Sequence, residues 1–466
     1  MPATFMSSFP HLLNGLETCK FALQVNASLA AVSQKALNLS LGLARNNFTA
    51  GWQASENFLP SMGQLTERVY LPLFKVNREG GDRLLQGLAD TILGHWDRFQ
   101  QNRQAEIALL KLFTDKPVDQ DWSVAYDQSR TLLDLPGMKL IDISLDVKHR
   151  IQNYGVVFAP RAGHHSNVAE RVALFMRDQG ISRMAVVEQK CADDIPLHIE
   201  GERHYEGFEG QVDQYKQVLA HLKGLTGYAP HLIAICQPGP LLMSTLILNP
   251  DLGRTFGSAG SPMHTEAERG FLTDFARFMG PAYIDLLMYM GGRKIGADRP
   301  GVGREAYDGS YQVLGFYLLG LGQHYRNLKR FLADLKKGDQ VAAERQASFY
   351  QWYNYVHHFP AGFIRDTYKK IFAKNELIRG TLTIGEQRVN IQNYPAVPIW
   401  ALGGSNDDIA PPLQATGHMD AIDMPSEKKL NLICEGGHMG IFRSRRILTE
   451  YYTQITQFIL SHSDYA

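Results

Sequence analysis

The chain has 466 residues, with 47 Lys and Arg against 47 Asp and Glu, so its formal net charge is zero. A balanced charge provides no basic surface for a polyanion, and nucleic acid is therefore not expected as a partner. The length exceeds what a single compact core usually holds, which predicts at least two structural units.

The four cysteines, Cys19, Cys191, Cys236 and Cys434, are widely separated and show no metal-ligand spacing. We therefore expect a reducing, cytoplasmic setting, with no metal site and no cofactor. The amino terminus lacks a basic region followed by an apolar signal core, and no apolar run reaches the roughly 18 residues that a membrane span needs. We expect a soluble chain that is not secreted.

Residues 1–132 are predicted to form an amino-terminal helical segment. Apolar residues recur there at helical spacing, as in Ala105-Glu106-Ile107-Ala108-Leu109-Leu110. The segment ends near Lys116-Pro117, and Leu135-Pro136-Gly137 predicts a turn before the next unit.

Residues 133–264 are predicted to form the first part of an α/β core, because short strand-like runs now alternate with helices. The predicted strands are Leu140 to Leu145, Val156 to Ala159, Met184 to Glu188 and His231 to Cys236, and the predicted helices are Asn167 to Gln179 and Phe208 to Leu225. This alternation indicates a mainly parallel sheet flanked by helices.

Residues 265–383 are predicted to be a helical lid inserted into the sheet domain. Strand-like runs disappear there, and aromatic, helix-compatible sequence such as Phe349-Tyr350-Gln351-Trp352-Tyr353 takes over. Residues 384–466 return to the core, with strands at Val397 to Leu402 and Lys429 to Cys434 and a closing helix at Ile447 to Leu460.

Cys236 is the candidate nucleophile. It follows an apolar strand and precedes Gln237-Pro238-Gly239 and a helix start, which is the pattern of a nucleophile elbow. The helix amino end there would favour thiolate over thiol. The alternative interpretation is a small apolar residue inside a core strand, which is a common fate of a free cysteine.

Asp407 and His438 are the candidate acid and base. Asp407 follows a strand and the turn Gly403-Gly404-Ser405-Asn406, and His438 follows two glycines beyond the last strand. Nucleophile, acid and histidine in this order are typical of the α/β-hydrolase fold, which we predict here with the helical lid and the amino-terminal helical segment. The adjacent Asp408 stays open as an alternative acid.

The oxyanion donors are expected from two places. One is the backbone N–H of Gln237, directly after the nucleophile, and the other comes from the loop after the first strongly apolar strand, where Gly163 and His164 are the candidates. An ordinary glycine turn between strand and helix is the alternative interpretation of that loop.

With these residues assembled, the chain resembles the intracellular polyhydroxyalkanoate (polyhydroxybutyrate, PHB) depolymerases. The matching segments include Ala159-Pro160-x-x-Gly163-His164, Cys236-Gln237-Pro238, Asp407-Asp408-Ile409 and Gly437-His438-x-Gly440. The resemblance implies that Cys236, Asp407 and His438 hydrolyse ester bonds of a storage polyester through an acyl-thioester. It also implies a granule-associated protein whose partner is the polymer surface.

Two other functions stay open. A polyhydroxyalkanoate synthase would also use cysteine, aspartate and histidine, but it would be expected to have glycines on both sides of the elbow, where this chain has Ala234 and Pro238. A granule-binding protein without turnover could grip polymer with the aromatic lid residues. The sequence also leaves open the monomer side chain, water or CoA as acyl acceptor, the role of residues 1–132 and the oligomeric state, including a homo-oligomer.

Overall fold

The computed structural model describes residues 104–109, 111–112, 130–162, 166–319 and 321–466. All of them belong to one compact unit, Gln100–Ala466. The predicted amino-terminal segment lies outside the described residues except for helical stretches at 104–109 and 111–112 and residues 130–132. Its assignment as a helical segment stays a prediction.

The large central sheet has eight strands in the order β1-β2-β4-β3-β5-β6-β7-β8. β2 runs antiparallel to both of its neighbours, and β3 to β8 are mutually parallel. The strands are β1 (Thr131–Asp134), β2 (Met138–Asp142), β3 (Gly155–Phe158), β4 (Met184–Gln189), β5 (His231–Ile235), β6 (Thr255–Ala259), β7 (Ile399–Gly404) and β8 (Lys429–Cys434). This order confirms the predicted α/β-hydrolase fold.

Two layers of helices cover the sheet, and the alternation of side chains along β5 explains how. Leu232 and Ala234 pack on one side of the sheet with helices Phe208–Thr226 and Pro238–Leu248. Ile233 and Ile235 pack on the other side with helices Arg171–Asp178 and Thr453–Ser461. Since both faces are covered, strands such as β3, β5 and β7 are mainly apolar, as expected for strands that are buried on both faces.

Short helices complete the core. They are Pro412–Thr416, His438–Arg443 and Arg445–Ile447, and the π-helical turns Ser166–Glu170 and Leu448–Tyr452 extend neighbouring α-helices. Within the described ranges, no helix combines the length and the apolar character that crossing a bilayer requires.

The segment between β6 and β7, where a helical lid is predicted, is mostly helical and also contains short strands that were not predicted. Its helices are Phe271–Met279, Tyr283–Gly291, Gly309–Leu319, Leu321–Lys337, Gln340–Tyr353 and Ala361–Asp366, the last extended by a π-helical stretch, Thr367–Ala373. A small antiparallel sheet joins Gly292–Lys294, Glu305–Tyr307 and Phe359–Pro360. The strands were missed because each has only two or three residues.

Two hairpins also depart from the predicted segments. Leu382–Ile384 pairs with Gln387–Val389 across the predicted boundary at residue 383, and His198–Ile199 pairs with Glu202–Arg203 after β4. The strands β1 and β6 were not predicted, and the strand predicted at Leu140 to Leu145 begins two residues earlier, at Met138.

β6 has a glycine at its centre because the side chain of a large aromatic residue packs directly against that position. A Cβ atom on Gly257 would lie 1.7 Å from the indole of Trp400 on β7. Trp400 is fully buried and is among the largest side chains of the core. The two strands can pair only if residue 257 has no side chain.

We expect Gly257→Ala to lower the free energy of unfolding by about 3 kcal/mol, because the added methyl group forces the indole or the strand to move in a close-packed interior. Urea denaturation of the two proteins measures the difference. Gly224→Ala is the matched control, since a Cβ at that helical position meets nothing within 4 Å. The control should gain up to about 1 kcal/mol, and an equal loss in both variants would contradict the packing argument.

Candidate active site

Cys236 lies at a sharp bend at the carboxyl end of β5. The strand is buried along its whole length, and the next helix, Pro238–Leu248, begins two residues after the cysteine. Cys236 has a φ of +62°, in the left-handed region that residues other than glycine seldom occupy. Its side chain is partly exposed. The predicted strand, turn and helix are therefore present at the predicted positions.

The bend forms without the usual flanking glycines. Ala234 is fully buried two residues before the cysteine, and Pro238 occupies the first helical position, where a missing N–H costs nothing. The tight contact falls one residue later, at Gly239, where a Cβ would lie 2.6 Å from the Ser261 Cβ. Gly239 thus lets the helix pass close to the chain after β6.

Two loops at the ends of β7 and β8 meet at their glycines. A Cβ on Gly404 would lie 2.5 Å from the carbonyl oxygen of Gly436, so only glycine permits this approach. The backbone N–H of Asn406 donates to the same oxygen at 3.0 Å. This contact fixes the loop that carries Asp407 against the loop that carries His438.

Asp407 and His438 are joined by a hydrogen bond. The Oδ2 atom of Asp407 lies 2.8 Å from Nδ1 of His438, and both side chains are buried. The other carboxylate oxygen accepts the backbone N–H groups of Ile409 and Ala410, each at 2.9 Å. Asp408 is exposed, so the hydrogen-bond partner of the imidazole is Asp407.

His438 also lies close enough to Cys236 for the two side chains to interact electrostatically, and the structure thus brings together the three residues predicted for the triad. Burial would lower the pKa of His438, but its interactions with Asp407 and Cys236 raise it well above its usual value. The arrangement favours an imidazolium next to the sulfur of Cys236. Such a pair supplies a nucleophile and a proton donor at neutral pH.

Gln237 is the N-cap residue of the helix Pro238–Leu248, and at this end of a helix the backbone N–H groups have no partner within the helix. Its side chain has a second contact, since Oε1 accepts the backbone N–H of Arg161 at 2.9 Å. This hydrogen bond ties the elbow to the loop after β3. The other two predicted oxyanion residues, Gly163 and His164, lie outside the described residues.

Arg161 anchors that loop through a buried ion pair that sequence reasoning missed. Its Nη2 lies 2.9 Å from Oε1 of Glu206, Nη1 donates to the carbonyl oxygen of Lys190 at 2.7 Å, and both ionic side chains are almost fully buried. Glu206 also bonds His204 at 2.6 Å, Gln211, and Gln214 at 3.0 Å. Burial would raise the pKa of Glu206, but these donors hold it below its usual value.

The aromatic run Phe349 to Tyr353 packs inward. Tyr350 and Trp352 are buried, and Phe349, Tyr353 and Met439 lie against the same core cluster as Cys236. Their role is therefore packing against the hydrophobic core, as aromatic stripes usually serve. Among the described residues, no three His, Cys, Asp or Glu side chains group in a way that would hold a metal ion.

Residues 260–463 match the protein family described as PHB de-polymerase C-terminus. The matched range includes Asp407 and His438 but not Cys236. Together with the fold, this match makes the chain a carboxylic ester hydrolase of the α/β-hydrolase class. This match confirms the resemblance recognised in the sequence over the carboxyl-terminal part of the chain.

Several solved structures are similar to the chain at low identity. A monoacylglycerol lipase from Paleococcus ferrophilus is 14% identical, with a TM-score of 0.39 over 70% of this chain and 99% of that one. An esterase from Thermogutta terrifontis is 11% identical, with a TM-score of 0.38 over 72% of this chain and 97% of that one. No curated protein matches the chain.

Iodoacetamide should label Cys236 at least about tenfold faster than Cys191 or Cys434 at pH 7. Burial raises the pKa of Cys191 and raises that of Cys434 to about 11, whereas Cys236 is partly exposed next to an imidazolium. Peptide mapping by mass spectrometry after timed labelling measures the three rates. Equal labelling of Cys191 or Cys434 would contradict the assignment.

Asp407→Asn is the companion variant. Without the carboxylate, burial dominates and the pKa of His438 falls, so the imidazolium that stabilises the thiolate is lost at neutral pH. We expect labelling of Cys236 at pH 7 to slow by about tenfold, because the positive charge beside the sulfur is lost. Asp408→Asn should label at the unmodified rate, because Asp408 is exposed and does not pair with His438.

Glu206→Gln should lower the free energy of unfolding by about 3 kcal/mol or more, since it leaves the buried guanidinium of Arg161 without a counter-charge. Glu305→Gln is the control, because Glu305 pairs with Arg365 at 2.9 Å on the surface. Its loss should stay below about 1 kcal/mol. Equal urea midpoints for the two variants would contradict the expectation that the buried ion pair contributes more to stability than the surface pair.

Proposed function

We propose that this chain is an intracellular depolymerase that hydrolyses ester bonds of poly(3-hydroxyalkanoate), with poly(3-hydroxybutyrate) as the reference substrate. Cys236 is the nucleophile, His438 the general acid and base, and Asp407 the residue that orients the imidazole. The protein would act in the cytoplasm, at the surface of storage granules.

The observation that carries the proposal is the position of His438, which lies beside Cys236 and is hydrogen-bonded to Asp407. The nucleophile stands at a left-handed bend and is partly exposed, and the imidazole is held from behind at 2.8 Å. This arrangement has the two contacts that nucleophilic catalysis requires, one between nucleophile and base and one between base and orienting acid. The family match of residues 260–463 supports a polyester as the substrate.

Acylation begins when the Cys236 thiolate attacks the carbonyl carbon of an ester bond. A carbon–sulfur bond forms, and negative charge moves to the carbonyl oxygen, where the Gln237 backbone N–H and a donor from the loop after β3 stabilise it. As the tetrahedral intermediate collapses, the carbon–oxygen ester bond breaks. The imidazolium of His438 gives its proton to the leaving alkoxide, which departs as the free 3-hydroxyl end of one chain fragment.

Deacylation regenerates the enzyme with water as the acceptor. His438, now neutral, takes a proton from water, and the hydroxide attacks the acyl-thioester carbon. The carbon–sulfur bond then breaks, the other fragment leaves as a carboxylic acid, and the thiolate and imidazolium pair is restored. Asp407 stabilises the imidazolium in both half-reactions by its charge and hydrogen bond, without taking up the proton.

The flanks of the elbow favour hydrolysis over polymer synthesis. Ala234 and Pro238 occupy the positions where the synthase pattern has glycine. The helix after Cys236 consequently begins with Pro238 at its first position and makes its closest contact at Gly239. With the synthase pattern, the glycine that permits the close approach would be expected two residues after the cysteine, at the position of Pro238.

Cys236→Ala should lower the rate of 3-hydroxybutyrate release from amorphous granules by at least about 10³-fold, as loss of a covalent nucleophile does in other triads. Chromatography of the released acids, with and without added CoA, measures the rate and identifies the acceptor. Cys434→Ala is the matched control, since that thiol is buried away from solvent, and its release rate should stay within about twofold of the unmodified rate.

Two results would contradict the proposal. One is release of 3-hydroxy acids by Cys236→Ala at the unmodified rate. The other is liberation of free CoA and new polymer from 3-hydroxybutyryl-CoA by the unmodified protein, which would identify a synthase. A protein that binds granules but releases no acid would be a binding protein instead.

A further inference from the structure

Two lid helices expose an unusual amount of apolar surface. Helices Phe271–Met279 and Tyr283–Gly291 are joined by Gly280-Pro281-Ala282. Phe278 and Tyr289 are 86% and 88% exposed, among the most exposed large apolar side chains of the described residues. We name the lid apolar face by its exposed members Phe271, Phe278, Met279, Leu286, Tyr289 and Met290.

The spacing of these residues places them on the outer sides of their helices. Phe271, the partly exposed Phe275 and Phe278 follow one another at intervals of four and three residues, and Tyr289 and Met290 lie three and four residues after Leu286. The inner sides are separately filled, because Ala276 and Thr273 are buried on the first helix and Ile284 and Met288 on the second. Each helix thus exposes large apolar side chains although its buried side is already packed, whereas surface helices normally expose polar residues.

The exposed helices are firmly attached from below. The hydroxyl of Tyr368 lies 3.3 Å from the carbonyl oxygens of Ala276 and Gly280, and the amide of Gln414 donates to Thr273 Oγ1 at 2.9 Å. The rings of Phe275 and Tyr283 meet edge to face at 5.5 Å and join the two helices. The apolar side chains therefore project from a supported scaffold.

The charge on the two helices is small, and each of their charged side chains has an ion-pair partner. Their charged residues are Asp274, Arg277 and Asp285. Asp274 pairs with Arg269 at 3.0 Å and with Arg277 at 3.6 Å, and Asp285 pairs with Lys369 at 3.2 Å. An anionic membrane would call for unpaired Lys and Arg around the apolar residues, which these helices lack. An uncharged surface is the electrostatic match.

The face also continues toward the active site. Gly270, directly before Phe271, abuts Pro411 and Gln414, and the backbone N–H of Leu413 donates to Glu268 at 2.9 Å. Leu413 is itself exposed, in the short helix that follows the Asp407 loop. These contacts place the start of the first lid helix beside the segment that follows Asp407.

From these observations we infer that the lid apolar face docks the enzyme on the uncharged surface of an amorphous aliphatic polyester. This inference rests on the proposed function and adds the surface that holds the enzyme on its insoluble substrate. The face serves adsorption, while Cys236 and His438 carry out the chemistry. It also differs from the aromatic run Phe349 to Tyr353, whose side chains pack into the core.

The test compares two double variants of the full chain. Phe278→Ser with Tyr289→Ser removes the two most exposed rings of the face. Leu225→Ser with Tyr228→Ser is the matched control, because these residues are 52% and 41% exposed and lie near the amino end of β5, away from Cys236. Co-sedimentation with amorphous poly(3-hydroxybutyrate) granules, acid release from granules and hydrolysis of soluble p-nitrophenyl butanoate are measured for each.

We expect the face variant to lose at least about tenfold in granule binding and in acid release at low granule concentration, since two large apolar side chains no longer leave water. The control should stay within about twofold of the unmodified protein on granules. Hydrolysis of the soluble ester measures the chemistry at Cys236 without adsorption to granules. A variant that loses activity on granules but not on the soluble ester has therefore lost adsorption.

Several outcomes would overturn the docking inference. They are unchanged granule binding by the face variant, an equal loss in the control, and an equal loss on the soluble ester, which would indicate damage to the site or the fold. Equal binding of the unmodified protein to phosphatidylglycerol vesicles would make the face a membrane surface. Sedimentation velocity showing a dimer that the face variant dissociates would make it a contact between two copies.

Failure of the proposed function has a different signature. If the unmodified protein binds granules through the face but releases no acid, the docking inference is supported and the depolymerase function is contradicted. If the unmodified protein releases acid and the face variant does so equally well, the depolymerase function is supported and the docking inference is contradicted.

Discussion

Cys236 holds a φ of +62°, a conformation that costs a residue with a side chain about 1 kcal/mol or more. The surrounding packing must supply that energy. It does so through a fully buried strand before the cysteine and an almost fully buried helix after it. The same bend lifts the sulfur above the edge of the sheet, so the partners of Cys236 only need to reach that edge.

The partners reach the edge because parallel strands end together. β5, β7 and β8 all run in the same direction, and the loops after them carry Cys236, Asp407 and His438. The contact between Gly404 and Gly436 then sets the distance between the last two loops. The site is therefore a consequence of sheet topology, refined by a few places where no side chain is tolerated.

Much of this arrangement could be predicted from local sequence. The apolar runs of β3, β4, β5, β7 and β8 and the order of cysteine, aspartate and histidine are local patterns, and each lies close to its predicted place. β6 escaped because Gly257 and Ser258 give it a weak strand pattern, and its glycine is explained only by Trp400 on another strand. The role of Glu206 was not predicted for a similar reason, since no nearby residue indicates that it pairs with a buried arginine 45 residues earlier. Residues whose meaning depends on a distant partner need the tertiary structure.

The lid helices Phe271–Met279 and Tyr283–Gly291 expose large apolar side chains on the surface of the fold. Where such a surface must first be uncovered, the free energy of uncovering it is subtracted from the affinity for the substrate. In this fold the lid apolar face is already exposed, so docking as inferred above needs no prior rearrangement of the two helices. The consequence for the dissolved enzyme is that this apolar, adhesive surface stays in contact with water until the enzyme binds its substrate.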